Sequence, residues 1–427
     1  MGSDFAGGKK AVKGLKEKAK RELLSLTLRR YIRSLDAKQK SSPSARHGMN
    51  RFLAATLLDG ITRKRPLVWT TYTFPTELIT AYSMVPYFSE TGSAVIASLG
   101  YGGRALETTE KRGYGRESCT YHRATMGAAF EGYLPAPDIL IGCSHLCDGQ
   151  AKMMESMADY FGKPSLLLDV PYYLNDDSIS YVRDQLEGIE EAFAEICGGR
   201  AMPERLREVI TISNRTRLTM LEVNRLRKHE PSPMYGRWAF GFIFQALLGM
   251  GSPEVLSLYE ELFRELRSST AHAPGVQQEH RILWLLAYPY FKESFVEYME
   301  DELGLYAVAD EMSYVYWDEM QADDPLRALA RKTLQNHGLG EVERRVGVAV
   351  RLASEYNVEG AIHYSHFGCR QGCGGVNALR EGLADAGIPL LVLDGDCIDE
   401  RNYSDSQVRT RLEGYCEMLR DRRASPT

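Results

Sequence analysis

The sequence is short of positive charge: 52 Lys and Arg against 57 Asp and Glu leave a formal net charge of −5. Without a basic excess, nucleic acid is not an expected partner. Long apolar runs are missing as well. None approaches the roughly 18 residues that span a bilayer, so no membrane segment is expected. The polar, Lys-rich start MGSDFAGGKK has no apolar signal segment, and a cytoplasmic protein is the expectation. No G-x-x-x-x-G-K-[ST] occurs, and Gly100-Tyr101-Gly102-Gly103 reads as a turn, so the chain is not expected to hydrolyse ATP by itself. What remains is 427 residues with 44% hydrophobic side chains, enough for a large core in two or three domains.

The eight cysteines are what is left to explain. A reducing compartment disfavours disulfides. Cys197 (FAEICGG) and Cys416 (LEGYCEML) sit in helical patterns and are expected to be buried hydrophobes. The other six keep company with Gly, His and Asp in loops. In GAIHYSHFGCRQGCGGVNALREGLADAGIPLLVLDGDCIDERN, Gly360 to Asn402, a buried strand, a helix over Gly375 to Ala386 and a second apolar strand make a β-α-β unit. Cys369 and Cys373 fall in the turn after its first strand and Cys397 just after its second. That edge of a parallel sheet is where ligands bind.

DILIGCSHLCDGQAKMMESMADYFGKPSLLLDVP, Asp138 to Pro171, repeats the unit, with Cys143 and Cys147 after one strand and Asp169 matching Asp394. ESCTYHRATMG adds Cys119 at a loop-to-helix junction. The expected fold is therefore α/β, with two similar lobes of parallel strands. The expected division is a helical N-terminal segment over 1–60, lobe one over 61–185, a helical insertion over 186–274 and lobe two over 275–427. Within it, a basic amphipathic helix is expected from Ala11 to Leu35, with Leu15, Ala19, Leu23, Leu26 and Tyr31 near one face. The first strand should open at Pro66-Leu67-Val68-Trp69 and lobe two at His280 to Leu286; a further strand is expected near Tyr314 to Trp317.

Thiolates select zinc, copper(I) or iron–sulfur clusters. Zinc prefers ligands in short knuckles, which two C-x-x-x-C turns in separate lobes do not form, although His145 and His366 keep it open. Four-iron clusters accept thiolates from separated loops, and three per cubane leave one iron open. His122, His145, His363 and His366 flank the proposed ligands. They are candidates to deliver protons, His122, His145 and His366 above all, or else to bond cluster sulfides or loop backbone. Arg370 and Gln371 are candidate donors to sulfides.

The runs HFGCRQGCGG…AGIPLLVLDGDCIDERNYSDSQVRTRLEGYCEML and ESCTYHRATMG…LPAPDILIGCSHLCDG…GKPSLLLDVP resemble the signatures of the 2-hydroxyacyl-CoA dehydratase superfamily, which includes benzoyl-CoA reductase subunits. The resemblance implies Rossmann-like lobes, an iron–sulfur cluster and electrons from a separate ATP-hydrolysing activator. Carried over by motif, the dehydratase-type ligands are Cys119, Cys147 and Cys369. Cys143, Cys373 and Cys397 are additional. They make the chain similar to the double-cubane cluster proteins of that superfamily, which are homodimers holding an [8Fe–9S] cluster on six cysteines. That likeness implies a reductase component for small molecules, driven by an ATP-dependent [4Fe–4S] reductase partner. The alternatives are a single [4Fe–4S] subunit of a dehydratase or benzoyl-CoA-type reductase, and a metal-binding scaffold without catalysis. For the CoA alternative no Lys/Arg cluster stands beside the cysteine loops.

Overall fold

In a computed structural model, which describes residues 3–269, 278–291 and 295–424, the strands form two four-stranded sheets of parallel strands. The first contains β1 (Leu67–Thr70), β2 (Val85–Phe88), β3 (Ile139–Cys143) and β4 (Ser165–Leu168), in the order β2-β1-β3-β4. The second contains β5 (His280–Leu285), β6 (Leu305–Asp310), β7 (Gly360–His366) and β8 (Leu390–Gly395), in the order β6-β5-β7-β8. The same order twice is the duplication expected from the repeated unit, and the fold is α/β with two Rossmann-like lobes. In each sheet the order reverses beside the first strand, and the crevice outside that point is where such sheets bind ligands. In lobe one it lies between the ends of β1 and β3, in lobe two between those of β5 and β7.

The central strands β1, β3, β5 and β7 are buried at every position, as strands covered by helices on both faces must be. β2 lies at a sheet edge, which is where Pro86 can be tolerated within a strand. Between the two sheets the chain runs through long helices, Asp176–Cys197, Pro203–Leu226, Gly236–Ala246 and Pro253–Ser269. The last three, with Ala45–Thr62, build an apolar cluster that includes Met49, Phe52, Met220, Phe242 and Leu258.

Three expectations are corrected. Tyr314 to Trp317 is not a strand: the pairing role belongs to Leu305–Asp310, buried at all six positions. The aromatic run that looked β-forming lines a cavity instead. Cys197, the last residue of its helix, is exposed because the helix ends at the surface on Gly198 in the left-handed conformation. Finally, the N-terminal helix spans Ser3–Ser41, but its expected apolar face looks outward. Leu15, Leu23, Leu26 and Tyr31 are exposed, while the helix holds the body through Lys20 Nζ on the Glu131 carbonyl (2.8 Å) and a buried Leu35.

Candidate metal centre

Three cysteines share one local device. Cys119 is the N-cap of helix Thr120–Phe130, Cys147 of Asp148–Phe161 and Cys369 of the short turn Arg370–Gly374. First-turn amides have no partner within a helix, and each of these cysteines stands beside such a set. Gly372 N–H reaches Cys369 Sγ at 3.3 Å, while the amides of Tyr121 and His122 near Cys119, and of Gly149 and Gln150 near Cys147, work to lower those thiols without a cap hydrogen bond to the sulfur. Such donors at a helix start favour a thiolate. The Cys369 turn is pressed against the Cys119 turn at Gly368. A Cβ there would meet Cys119 N and Glu117 O at 3.0 Å, and its φ of +79° is one that glycine adopts freely.

The three thiols line one cavity of about 160 Å³, walled by Tyr72, Phe244, Leu247, Tyr316 and Trp317. Cys119 and Cys147 also line an open cleft of about 940 Å³ that contains His122, His145 and Arg370. The two spaces therefore meet at the thiols. Burial pushes all three thiols up, Cys147 to about 11, and negative charge at Cys369 raises Cys119 and Cys147 further. A bound cation or cationic cluster removes that repulsion.

The remaining three loop thiols line neither space. Cys143 ends β3 facing the lobe-one core beside Phe74, Leu78 and Leu168, and burial pushes it up to about 12. Cys373, on the Cys369 turn, is exposed and directs its thiol to the His366 carbonyl (3.4 Å). Cys397 is buried among apolar residues of lobe two, against the Tyr121 hydroxyl.

The histidines separate in the same way. His366 Nε2 lies 3.5 Å from Cys119 Sγ, while its Nδ1 accepts the Cys397 amide at 3.1 Å. With Nδ1 an acceptor, the neutral ring carries its proton on Nε2, aimed at the Cys119 sulfur. His122 and His145 line the cleft, and burial lowers each to about 4, so both are neutral imidazoles at pH 7. Neither ring nitrogen of His145 has a partner. His363 lines neither space and bonds Ser365 Oγ at 3.0 Å. Arg370 and Gln371 lie at the rim committed to protein: Arg370 pairs with Asp148 across the lobes, and Gln371 Nε2 donates to Gly338 O at 2.7 Å.

Several cavity residues carry no signal in the sequence. Glu90 is a buried carboxyl, bonded by Thr71 Oγ1 (2.9 Å) and Ser89 Oγ (3.0 Å), and burial raises it above the usual carboxylate range. Glu311 is also buried. Burial works to raise it, but the Arg345 guanidinium, bonded through two nitrogens at 2.7 and 2.9 Å, brings it down to about 2. Arg345 also donates to Gly372 O (3.2 Å), and Glu311 accepts the amide of Leu286 (2.6 Å), whose φ of 71° is rare for a leucine. His337 lines the cavity with Nδ1 unpartnered. Free thiols at helix starts, beside buried ring nitrogens unpartnered among the described residues, are a donor set that suits a thiolate-held iron–sulfur group.

The sequence pattern of the 2-hydroxyglutaryl-CoA dehydratase, D-component, family matches residues 71–419. The chain belongs to that family. It is 25% identical over 403 residues to the (R)-phenyllactyl-CoA dehydratase alpha subunit of Clostridium sporogenes, covering 91% of this chain and 98% of that one. Against the (R)-2-hydroxyisocaproyl-CoA dehydratase alpha subunit of Clostridioides difficile the identity is 23% over 375 residues, 84% and 91% of the two chains. A benzoyl-CoA reductase subunit of Thauera aromatica is 25% identical over 379 residues, 82% and 87%. The segment shared with this dehydratase family holds all six loop cysteines and the whole second sheet, and leaves out the N-terminal helix. Among the described residues, no helix is long and apolar enough to cross a membrane.

Proposed function

We propose that this chain is the iron–sulfur subunit of an enzyme that dehydrates a 2-hydroxyacyl-CoA or reduces an acyl-CoA, with one [4Fe–4S] cluster on Cys119, Cys147 and Cys369. The observation that carries the reading is the meeting of three N-cap thiols at one cavity. Relatives named as dehydratase alpha subunits and as a benzoyl-CoA reductase subunit support the reaction class. When bound, such a cluster supplies an iron without a protein ligand, able to polarise a substrate oxygen and pass electrons.

The chain's own residues do the rest. Gly372 N–H at Cys369 and His366 Nε2–H at Cys119 neutralise thiolate charge. The aromatic wall gives the cavity a largely apolar lining. Glu90, whose carboxyl burial raises above the usual carboxylate range, takes or returns a proton at its carboxyl oxygen. Electrons come from a separate ATP-hydrolysing [4Fe–4S] activator, in keeping with the lack of a phosphate loop. A second subunit, or a second copy as in a homodimer, completes the enzyme.

A second reading has its own support. Cys373 shares a turn with Cys369, and negative charge at either of them raises Cys397, after burial and Asp396. A double-cubane [8Fe–9S] centre on six thiolates, reducing small molecules, would use them, but it needs Cys143 to leave the lobe-one core. Iron and acid-labile sulfide on oxygen-free protein separate the readings: about four irons per chain for one cubane, about eight for two. Zinc or little metal would overturn both and leave a non-catalytic scaffold.

A further inference from the structure

A second cluster of metal-binding groups lies away from the thiol cavity, at the other end of the lobe-two sheet, where β5 begins. Glu279 and His280 stand at the start of that strand, and Cys416 reaches them from the C-terminal helix Asp405–Ala424. One carboxylate oxygen of Glu279, a ring nitrogen of His280 and the Cys416 sulfur all lie within 4.8 Å of one another. That spacing suits three corners of a tetrahedron around one ion with bonds of roughly 2.0–2.3 Å.

The independent observation is His280. Its side chain is completely buried, and Nε2 has no hydrogen-bond partner among the described residues, standing 3.7 Å from Glu279 Oε1. A buried ring nitrogen left unpaired is destabilising, and a ligand at that point would recover the lost interaction. Its other nitrogen, Nδ1, is bonded to Glu359 Oε2 at 2.8 Å. A carboxylate behind a histidine in this way fixes the tautomer that leaves Nε2 free to coordinate.

The surrounding charges fit as well. Arg420 holds Glu279 through Nε on Oε1 (2.5 Å) and Nη2 on Oε2 (2.8 Å), and Arg423 Nη2 holds Glu359 Oε1 (2.5 Å). An ion takes Oε1 from Arg420 Nε and leaves the Oε2 contact in place. Two carboxylates and a thiolate against two guanidiniums leave one net negative charge for the ion to meet. Cys416 Sγ also directs its thiol to the Leu303 carbonyl at 3.7 Å.

We propose that Glu279, His280 and Cys416 bind a zinc-class divalent ion, which pins the C-terminal helix to the base of β5. The donor set of one thiolate, one imidazole and one carboxylate selects zinc over magnesium or calcium. Binding displaces the Cys416 thiol proton to solvent and involves no redox step.

The test uses full-length, cluster-loaded chain purified without oxygen, dialysed against micromolar zinc and then against metal-free buffer. Zinc and iron are counted together, and thermal unfolding is followed with and without zinc. About one zinc per chain is expected, with a higher unfolding temperature. Cys416→Ser should lose the zinc and its stabilisation while keeping its iron. Glu359→Gln should weaken zinc about 10- to 100-fold. Iron content serves as the folding control, and a change confined to iron would bear on the cluster proposal alone. Zinc-free wild-type chain, or Cys416→Ser retaining zinc and its thermal shift, overturns the site. If His280→Ala fails to fold, the two milder variants still decide.

Discussion

The two lobes repeat one strand order but hold their thiols differently. Lobe one offers Cys119 and Cys147 from the starts of regular helices of 11 and 14 residues, whose length fixes the backbone that carries the sulfur. Lobe two offers Cys369 from a turn of five residues, Arg370–Gly374. So short a turn has few bonds of its own, and it is braced from behind. Arg345 holds the Gly372 carbonyl, Glu311 holds Arg345, and the same carboxylate ties down the end of β5 at Leu286. One fold thus supports a ligand either by helix geometry or by a buried ion pair. The second solution concentrates the risk in two side chains.

The largest effect should come from setting N-cap thiols against the others. Cys147→Ser or Cys369→Ser should reduce iron from about four per chain to background in oxygen-free protein, whereas Cys143→Ser and Cys373→Ser should retain it. Iron loss in all four variants would favour the six-thiolate centre.

Next, Glu90→Gln keeps the hydrogen-bonding shape of the cavity wall but removes its titratable carboxyl. Turnover with activator and acyl-CoA should fall about 10²- to 10⁴-fold at unchanged iron content. Unchanged turnover would remove Glu90 from proton transfer.

The brace is tested by denaturant unfolding. Arg345→Met leaves the buried Glu311 carboxylate unpaired and should cost about 3–5 kcal/mol. Arg370→Met, which breaks the solvent-exposed ion pair to Asp148 across the lobes, should change stability little. Equal effects would mean that lobe two has no special dependence on its ion pair.

The smallest effect is in pH. Glu311 is lowered from its ordinary 4.5 to about 2, so the folded state prefers the ionised form. Its contribution is present above about pH 4.5 and is lost as the pH falls towards 2. Glu311→Gln should flatten the unfolding profile of the chain in that window; an unchanged slope would show that other carboxylates dominate acid unfolding.

Much of this was legible along the chain. Apolar runs bounded by glycine and proline marked β1, β3, β4, β5, β7 and β8, and the junctions that carry Cys119, Cys147 and Cys369 stood out as strand or loop followed by helix. Other features were not. The Tyr314 to Trp317 run has strand-like composition yet walls a cavity, because aromatic residues suit either place. Glu90, Glu311 and Arg345 look like any charged residues on amphipathic segments, and what sets them apart is burial and, for the last two, pairing with each other. Nor does a C-x-x-x-C spacing say which sulfur turns towards a ligand. Cys143, still in the strand, follows the pleat into the core, and Cys147, at the helix start, faces the cavity.

The order of residues by itself determined the duplicated parallel sheets and the positions at which thiols follow strands, because hydrophobic period and turn chemistry act locally. Which thiols meet and which histidine aims its proton at sulfur were decided only by the packing of one lobe against the other. Those properties depend on distance and on exclusion of water, and both arise between segments hundreds of residues apart.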